Sequence, residues 1–183
     1  VRHAAATVQF CHPTTDRPLT LTGNLPMNTP VLQLIPIDYK SLNSRQQETF
    51  NFQKVSGVLA DFGYATIRLS DDWQGADFIA NHISGQQFLK VQLKGRLTLD
   101  QKYQGKDIWV CFRHHKVWYL YPHDAAVTWA LENKALGSNP DVWKNGTGAW
   151  SYPSPPKDFL QWLTPYELTN HSTGSAQNAA LAD

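Results

Sequence analysis

The run Leu69-Ser70-Asp71-Asp72-Trp73-Gln74-Gly75-Ala76-Asp77-Phe78-Ile79, followed by Phe88-Leu89-Lys90-Val91-Gln92-Leu93-Lys94, decides how this chain is read. Ser70 to Gly75 is rich in turn formers, and Ala76 to Ala80 has the character of a short strand. Asn81 to Gly85 again carries turn residues. Phe88 to Lys94 has a period of two. Leu89, Val91 and Leu93 fall on one face, which reads as core, and Lys90, Gln92 and Lys94 fall on the other. If the two strands pair through the 81–87 turn, Asp77 lies beside Gln92. Gln92 and Lys94 then leave the same face about 6.6 Å apart.

Outward from this pair, Ala65 to Leu69 alternates and is β-branched, so it reads as a preceding strand. Before it, Ser44 with Gln47 three residues on fits a capping box. Phe52, Val55 and Leu59 follow at helical spacing. Gly63 is a natural stop. The pattern predicts a helix over 44–62. Glu48 lies four residues before Phe52 on the same stripe, and a carboxylate on the inward side is costly unless something compensates it. Downstream, the stretch after Lys94 reads as a basic loop. Ile108–Phe112 and Val117–Tyr121 read as a hairpin around Arg113-His114-His115-Lys116. Asp124 is placed as the cap of a helix over 125–136. Residues 137–156 are Gly/Pro/Trp-rich and loop-like, and a short helix is placed over 158–163.

Length and composition set the frame. The chain has 183 residues, 42% hydrophobic and 17% charged, which suits one globular domain rather than a disordered chain. Sixteen basic against fifteen acidic residues leave a net charge of +1, so any hold on nucleic acid comes from a local patch. Lys90, Lys94, Arg96, Lys102 and Lys106 face only Asp100 across 90–106, and such a patch suits phosphate. Cys11 and Cys111 form neither a disulfide framework nor a zinc pattern, which favours a cytoplasmic setting. No apolar run is long enough to span a membrane. Residues 1–26 read as a flexible N-terminal segment, either upstream of a natural start at Met27 or a genuine arm. Residues 27–168 read as a single domain and 169–183 as a flexible tail.

Asp77, Gln92, Lys94 and Glu48 together suit metal-assisted phosphodiester hydrolysis. Mg²⁺ wants hard oxygen ligands, usually one or two carboxylates with waters and substrate phosphate. Asp77 would supply a carboxylate, and the Gln92 side-chain oxygen and Leu93 carbonyl further oxygens. Lys94 would orient or help deprotonate the attacking water and offset charge on the phosphate. Glu48 would bind a second metal or a metal-bound water from the helix side.

In this order the residues resemble the PD-(D/E)XK nuclease superfamily: a helix with Glu48, then Gly75-Ala76-Asp77, then Gln92-Leu93-Lys94. The chain also looks like small bacterial proteins with the same Glu, GAD and QxK pattern. The resemblance covers roughly 44–96 and extends toward 121. It implies an α/β (α+β) fold with a restriction-endonuclease-like core, a central mixed sheet flanked by helices. Its element order is a helix, three strands, a helix and a further strand, with the site at a split in the sheet. It implies an endonuclease using Mg²⁺, or Mn²⁺ as a substitute, with Asp77, Gln92 and Glu48 as metal ligands and Lys94 catalytic. Gln92 stands where the motif usually has Asp or Glu, and Ala76 where it has Pro. The implied partner is nucleic acid, DNA first, bound through Lys90, Arg96, Lys102 and Lys106. A homodimer would let such an enzyme cut both strands, with 137–163 as the surface to test.

Each residue taken singly has an ordinary reading. Asp77 could end a strand, Gln92 and Lys94 could be a solvated face, and Glu48 a helix-surface residue. The alternative function is therefore a catalytically inactive nuclease-fold module that binds nucleic acid or a protein partner, which the neutral Gln92 favours. The 113–116 turn reads as a plain hairpin tip that could extend the basic patch. His123-Asp124 lacks the partners of a metal-binding His-Asp site. Cys111 and the Trp residues read as core or interface.

Overall fold

The computed structural model describes residues 32–136, 143 and 148–169. After a single 3-10 turn at Tyr39–Ser41, α1 runs from Ser44–Asp61. The cap is Asn43, one residue earlier than the sequence suggests. Its side chain accepts from the Gln46 amide, and the Gln46 side chain accepts from the Asn43 amide. The Asn side-chain oxygen closes the box as well as a Ser hydroxyl would. Val55 and Leu59 are fully buried on the inner stripe. Glu48 is not buried with them: its side chain is 54% exposed and pairs with Arg68 at 2.5 Å.

Four strands come next. They are β1 (Tyr64–Trp73), β2 (Ala76–His82), β3 (Phe88–Lys94) and the short β4 (Leu97–Asp100). The 70–75 turn contracts to Gln74-Gly75, because β1 continues irregularly to Trp73 opposite Ala76. Both residues of this two-residue turn have positive φ, 57° and 95°, as a type I′ hairpin demands. The 95–107 segment is not a plain basic loop. It holds β4 and a 3-10 turn at Gln101–Tyr103.

The hairpin of β5 (Ile108–His114) and β6 (Val117–Pro122) follows, then α2 (His123–Glu132), β7 (Ala149–Tyr152) and α3 (Lys157–Leu163). β7 lies inside the 137–156 stretch read as loop. Asp124 is in the first turn of α2 rather than its cap, which is Pro122. The Asp124 carboxylate instead accepts from the Gly105 amide at 2.9 Å.

The main sheet has the order β1-β2-β3-β5-β6. All neighbours are antiparallel except β3 and β5, which are parallel. The expected central mixed sheet flanked by helices is present: a leading helix, a three-strand meander and a parallel fourth strand beside the third. It departs from the implied element order in one place. The crossover from β3 to β5 carries β4 and a 3-10 turn, and the helix comes only after the β5–β6 hairpin. A parallel pair needs a crossover that covers one face. Here β4 and β7 form a small antiparallel sheet that shares that core with α2 and α3.

Both faces of the sheet are covered at β5, which therefore reads as a continuous apolar run rather than an alternating one. Ile108, Val110 and Phe112 belong to the core with α2, α3, β4 and β7. Cys111 joins the core under α1, with Val55, Leu59, Phe78, Ala80 and Val91. Cys111 is fully buried, and burial pushes its thiol well above the usual range. The expectation that it is a core residue holds.

Candidate active site

The site forms where β2 begins and β3 ends. The β2–β3 ladder pairs Phe78 with Val91. One step further, Asp77 stands opposite Gln92. Asp77 Oδ2 accepts two hydrogen bonds, from Gln92 Nε2 at 2.6 Å and from the Leu93 amide at 2.8 Å. Gln92 is 6% exposed, one of few buried polar residues. Its burial follows from the covered second face of β3, and its bond to Asp77 satisfies the group that burial would otherwise orphan.

The electrostatics of Asp77 are mixed. Burial raises its pKa above the ordinary carboxylate value, and the net direction is up. The Leu93 amide, the Lys94 charge and the Gln92 side chain oppose that rise, while the Glu48 charge adds to it. Glu48 is thus within electrostatic reach of Asp77, though it is the smallest of these influences. A cation between them would reverse that influence.

Lys94 leaves β3 on the same side as Gln92 and lies with its ammonium 5.3 Å from the centroid of the Tyr103 ring. Tyr103 is 1% exposed and forms the floor beneath it. Gly75 explains why the ring fits. A Cβ there would sit 2.8 Å from Tyr103 Cδ1, and the residue's φ already excludes most side chains. The Gly-Ala-Asp stretch thus carries a glycine for backbone shape and close approach, two residues before the carboxylate.

Glu48 reaches the site from the first turns of α1. Arg68 on β1 holds it at 2.5 Å, also donates to Thr49 Oγ1 at 3.0 Å, and lies over the Phe52 ring. The structure therefore gathers Asp77, Gln92 and Lys94 on adjoining strands and brings Glu48 within electrostatic reach on an exposed ion pair. Arg68 and Tyr103 were not singled out in the sequence. Arg68 is the only charged residue in 65–69, and Tyr103 the only aromatic in the polar 100–107 stretch, but neither feature has a spacing that points to the site.

The basic residues divide. Lys90 is turned to internal use. Its ammonium donates to the Lys106 carbonyl and lies 3.9 Å from Asp107, with the side chain 17% exposed. Lys102 lies over the Tyr103 ring and 3.6 Å from Asp100. The interaction with Tyr103 is the main reason its pKa is raised. Arg96 is exposed beside Gly95 at the end of β3, and the exposed Lys106 gives its carbonyl to Lys90.

The donors fit a hard cation in kind: a half-buried carboxylate, a second carboxylate and a side-chain amide, all offering oxygen. Among the described residues no three His, Cys, Asp or Glu gather as a metal-binding group, so carboxylates alone do not make the site. Asp77 and Gln92 would form the inner pair and Glu48 the outer ligand. His123 takes no part in it. It is fully buried, accepts from the Asp100 amide at 3.1 Å and contacts Asp124 at 2.9 Å, tying β4 to α2. Burial lowers its pKa, against the pull of Asp124.

No protein-family model matches the sequence, and no curated protein matches it. Comparison with solved structures finds two partial similarities. A Holliday junction resolvase from the archaeal hyperthermophile Archaeoglobus fulgidus shares 17% identity at a TM-score of 0.33, over 40% of this chain and 70% of its own. A bacterial homing endonuclease shares 12% identity at a TM-score of 0.39, over 69% of this chain and 87% of its own. Among the described residues, no helix is long and apolar enough to cross a membrane.

Proposed function

We propose that this chain is a divalent-metal-dependent nuclease that hydrolyses phosphodiester bonds in DNA, using Mg²⁺ or Mn²⁺. The observation that carries the reading is the Asp77 cluster. A half-buried carboxylate has one oxygen fixed by Gln92 Nε2 and the Leu93 amide, burial raises its pKa with a small addition from Glu48, and a lysine lies two residues beyond Gln92. Asp77 and Gln92 would hold the ion, with Glu48 as the outer ligand. Bound there, a divalent ion lowers the pKa of its water and steadies charge on the phosphate.

The chain's own residues do the rest. The bonds from Gln92 and Leu93 fix Asp77 Oδ2, so the carboxylate does not reorganise during reaction. Lys94 Nζ orients the attacking water and offsets negative charge on the phosphate. Tyr103 packs beneath Lys94 and limits where the ammonium travels. Cleavage of supercoiled plasmid and linear duplex in Mg²⁺ or Mn²⁺ tests this. The parent cuts, and Asp77→Ala or Lys94→Ala loses at least about two to three orders of magnitude in rate. Equal cutting by all three proteins overturns the reading. A cytoplasmic setting and a homodimer that cuts both strands accompany this proposal.

A second reading rests on the Glu48–Arg68 pair. Arg68 already neutralises Glu48, and Gln92 brings no charge, so the cation site is weaker than one with three carboxylates. A binding module with the same fold would show salt-dependent DNA affinity without metal-stimulated cutting.

A further inference from the structure

We propose that the cleft between α1, the end of β3 and the tip of the β5–β6 hairpin is a second phosphate subsite. It would hold the backbone phosphate next to the scissile one. This rests on the nuclease reading of the Asp77 site, because the two share Lys94.

The cleft, about 230 Å³, is lined by Lys94, Arg113, His115, Asn51, Tyr39 and Trp118, together with Gly95. Three of these are cationic or imidazole side chains, and no carboxylate lines it. A second opening shares Tyr39, Asn51, Lys94 and Gly95 and extends past Leu93 to Gln47 and Glu48. The two form one path, acidic at Glu48 and basic at Arg113. That polarity suits a strand whose scissile phosphate lies at the acidic, cation-holding end and whose neighbouring phosphate lies at the basic end.

The basic end is built rather than incidental. Arg113 lies over the Trp118 ring, its guanidinium carbon 6.0 Å from the centroid, and Trp118 is 6% exposed. Stacking on a buried aromatic limits the guanidinium's freedom and leaves its edge free for phosphate. His115 occupies the first position of the two-residue hairpin loop with φ of 53°, a backbone state uncommon outside glycine but one that His, like Asn and Asp, adopts more readily than other residues. His115 lines the cleft while remaining exposed, with its ring 4.1 Å from that of His114. On the opposite wall, Asn51 donates to the Tyr39 hydroxyl at 2.9 Å, and Tyr39 packs on Phe50. The wall facing the cations is therefore neutral.

The test measures binding of a fluorescein-labelled DNA duplex by anisotropy, in Ca²⁺ to suppress cutting, across a range of salt. Arg113→Gln removes a pocket cation, and Lys116→Gln removes an equal charge from the exposed loop outside the cleft. The expected result is that Arg113→Gln weakens binding about tenfold and lowers the slope of log Kd against log salt by about one, as for one lost phosphate contact. Lys116→Gln leaves that slope in place. Equal slopes for the parent and both variants overturn the subsite, and so does an equal loss in both variants, which would mean bulk charge alone. Absence of binding by the parent at low salt also overturns it. If the parent binds with this pattern yet never cuts in Mg²⁺ or Mn²⁺, the subsite stands and the nuclease reading fails.

Discussion

The half of the sheet made by α1 and β1–β3 and the half made by β5–β6 with α2 and α3 are packed on different terms. The first half is lean and polar. Only Val55 and Leu59 of an 18-residue helix are buried, and the strands beneath carry Arg68, Asp77, Gln92 and Lys94. The second half is dense and aromatic. Phe159 is fully buried, with the Trp129, Trp162 and Tyr152 rings 4.6, 5.8 and 5.9 Å away. Phe112 stacks on Tyr119, and the buried Tyr121 hydroxyl donates to the Thr98 carbonyl at 2.8 Å. The contrast teaches a division of labour. One half carries a half-buried carboxylate whose charged form burial disfavours, and the other supplies the burial that keeps the fold together.

The sharpest way to break this comparison is to remove the Asp77 charge. Asp77→Asn should abolish cutting, a loss of at least about 10³, while thermal stability holds or rises at neutral pH. The sign follows from linkage. Burial raises the folded pKa of Asp77, so the folded chain binds its proton more tightly than the unfolded one. Stability from this group falls as pH rises above the ordinary value of 3.8 toward the raised one, and Asn escapes that loss. A melting curve at pH 7 and a plasmid assay on the same preparation check both halves. The opposite pattern belongs to Phe159→Ala. Deleting this ring should cost about 3–5 kcal/mol by urea unfolding, with the folded fraction still cutting.

Gln92→Glu sharpens the comparison further. It restores the acidic residue at the motif position and should tighten Mn²⁺ binding roughly tenfold by calorimetry, because ligand charge tunes such sites. It also removes the amide donor to Asp77 and adds a like charge, so the metal-free protein should lose about 1–3 kcal/mol. The smallest effect is expected at His123. Its folded pKa lies below the ordinary 6.5, because burial favours the neutral ring. The stability it contributes is complete above 6.5 and is lost as pH falls through its lowered folded value. His123→Gln should flatten the dependence of melting temperature on pH in that acid window.

The lean half was the more legible in sequence. Helix, three strands and their order follow from local signals: an amphipathic stripe, period-two alternation and turn clusters. The Asp77–Gln92 pairing follows from the 81–87 connection alone. The one-residue error at the cap arises because Asn43 and Ser44 both offer a cap oxygen, and only the contact with Gln46 decides between them. The environment of Glu48 was not legible. Its stripe position suggests burial, but Arg68, twenty residues away on β1, draws it to the surface. β4 and β7 were missed for a related reason. Four-residue strands whose partners lie about fifty residues apart leave no local signature, and Leu97-Thr98-Leu99 becomes recognisable only when Trp150 and Ser151 lie alongside. Tyr103 escaped because its role is set by Gly75, which approaches it from a distant turn.

In the proposed nuclease, Asp77 and Gln92 hold a divalent cation beside Lys94. Anomalous diffraction from crystals soaked in Mn²⁺ tests it most directly, with the parent and Asp77→Asn compared under identical conditions. An anomalous peak is expected against the Asp77 carboxylate in the parent, with Glu48 on its outer side, and no peak in the variant. A parent crystal with saturating Mn²⁺ and no peak at Asp77 would contradict it.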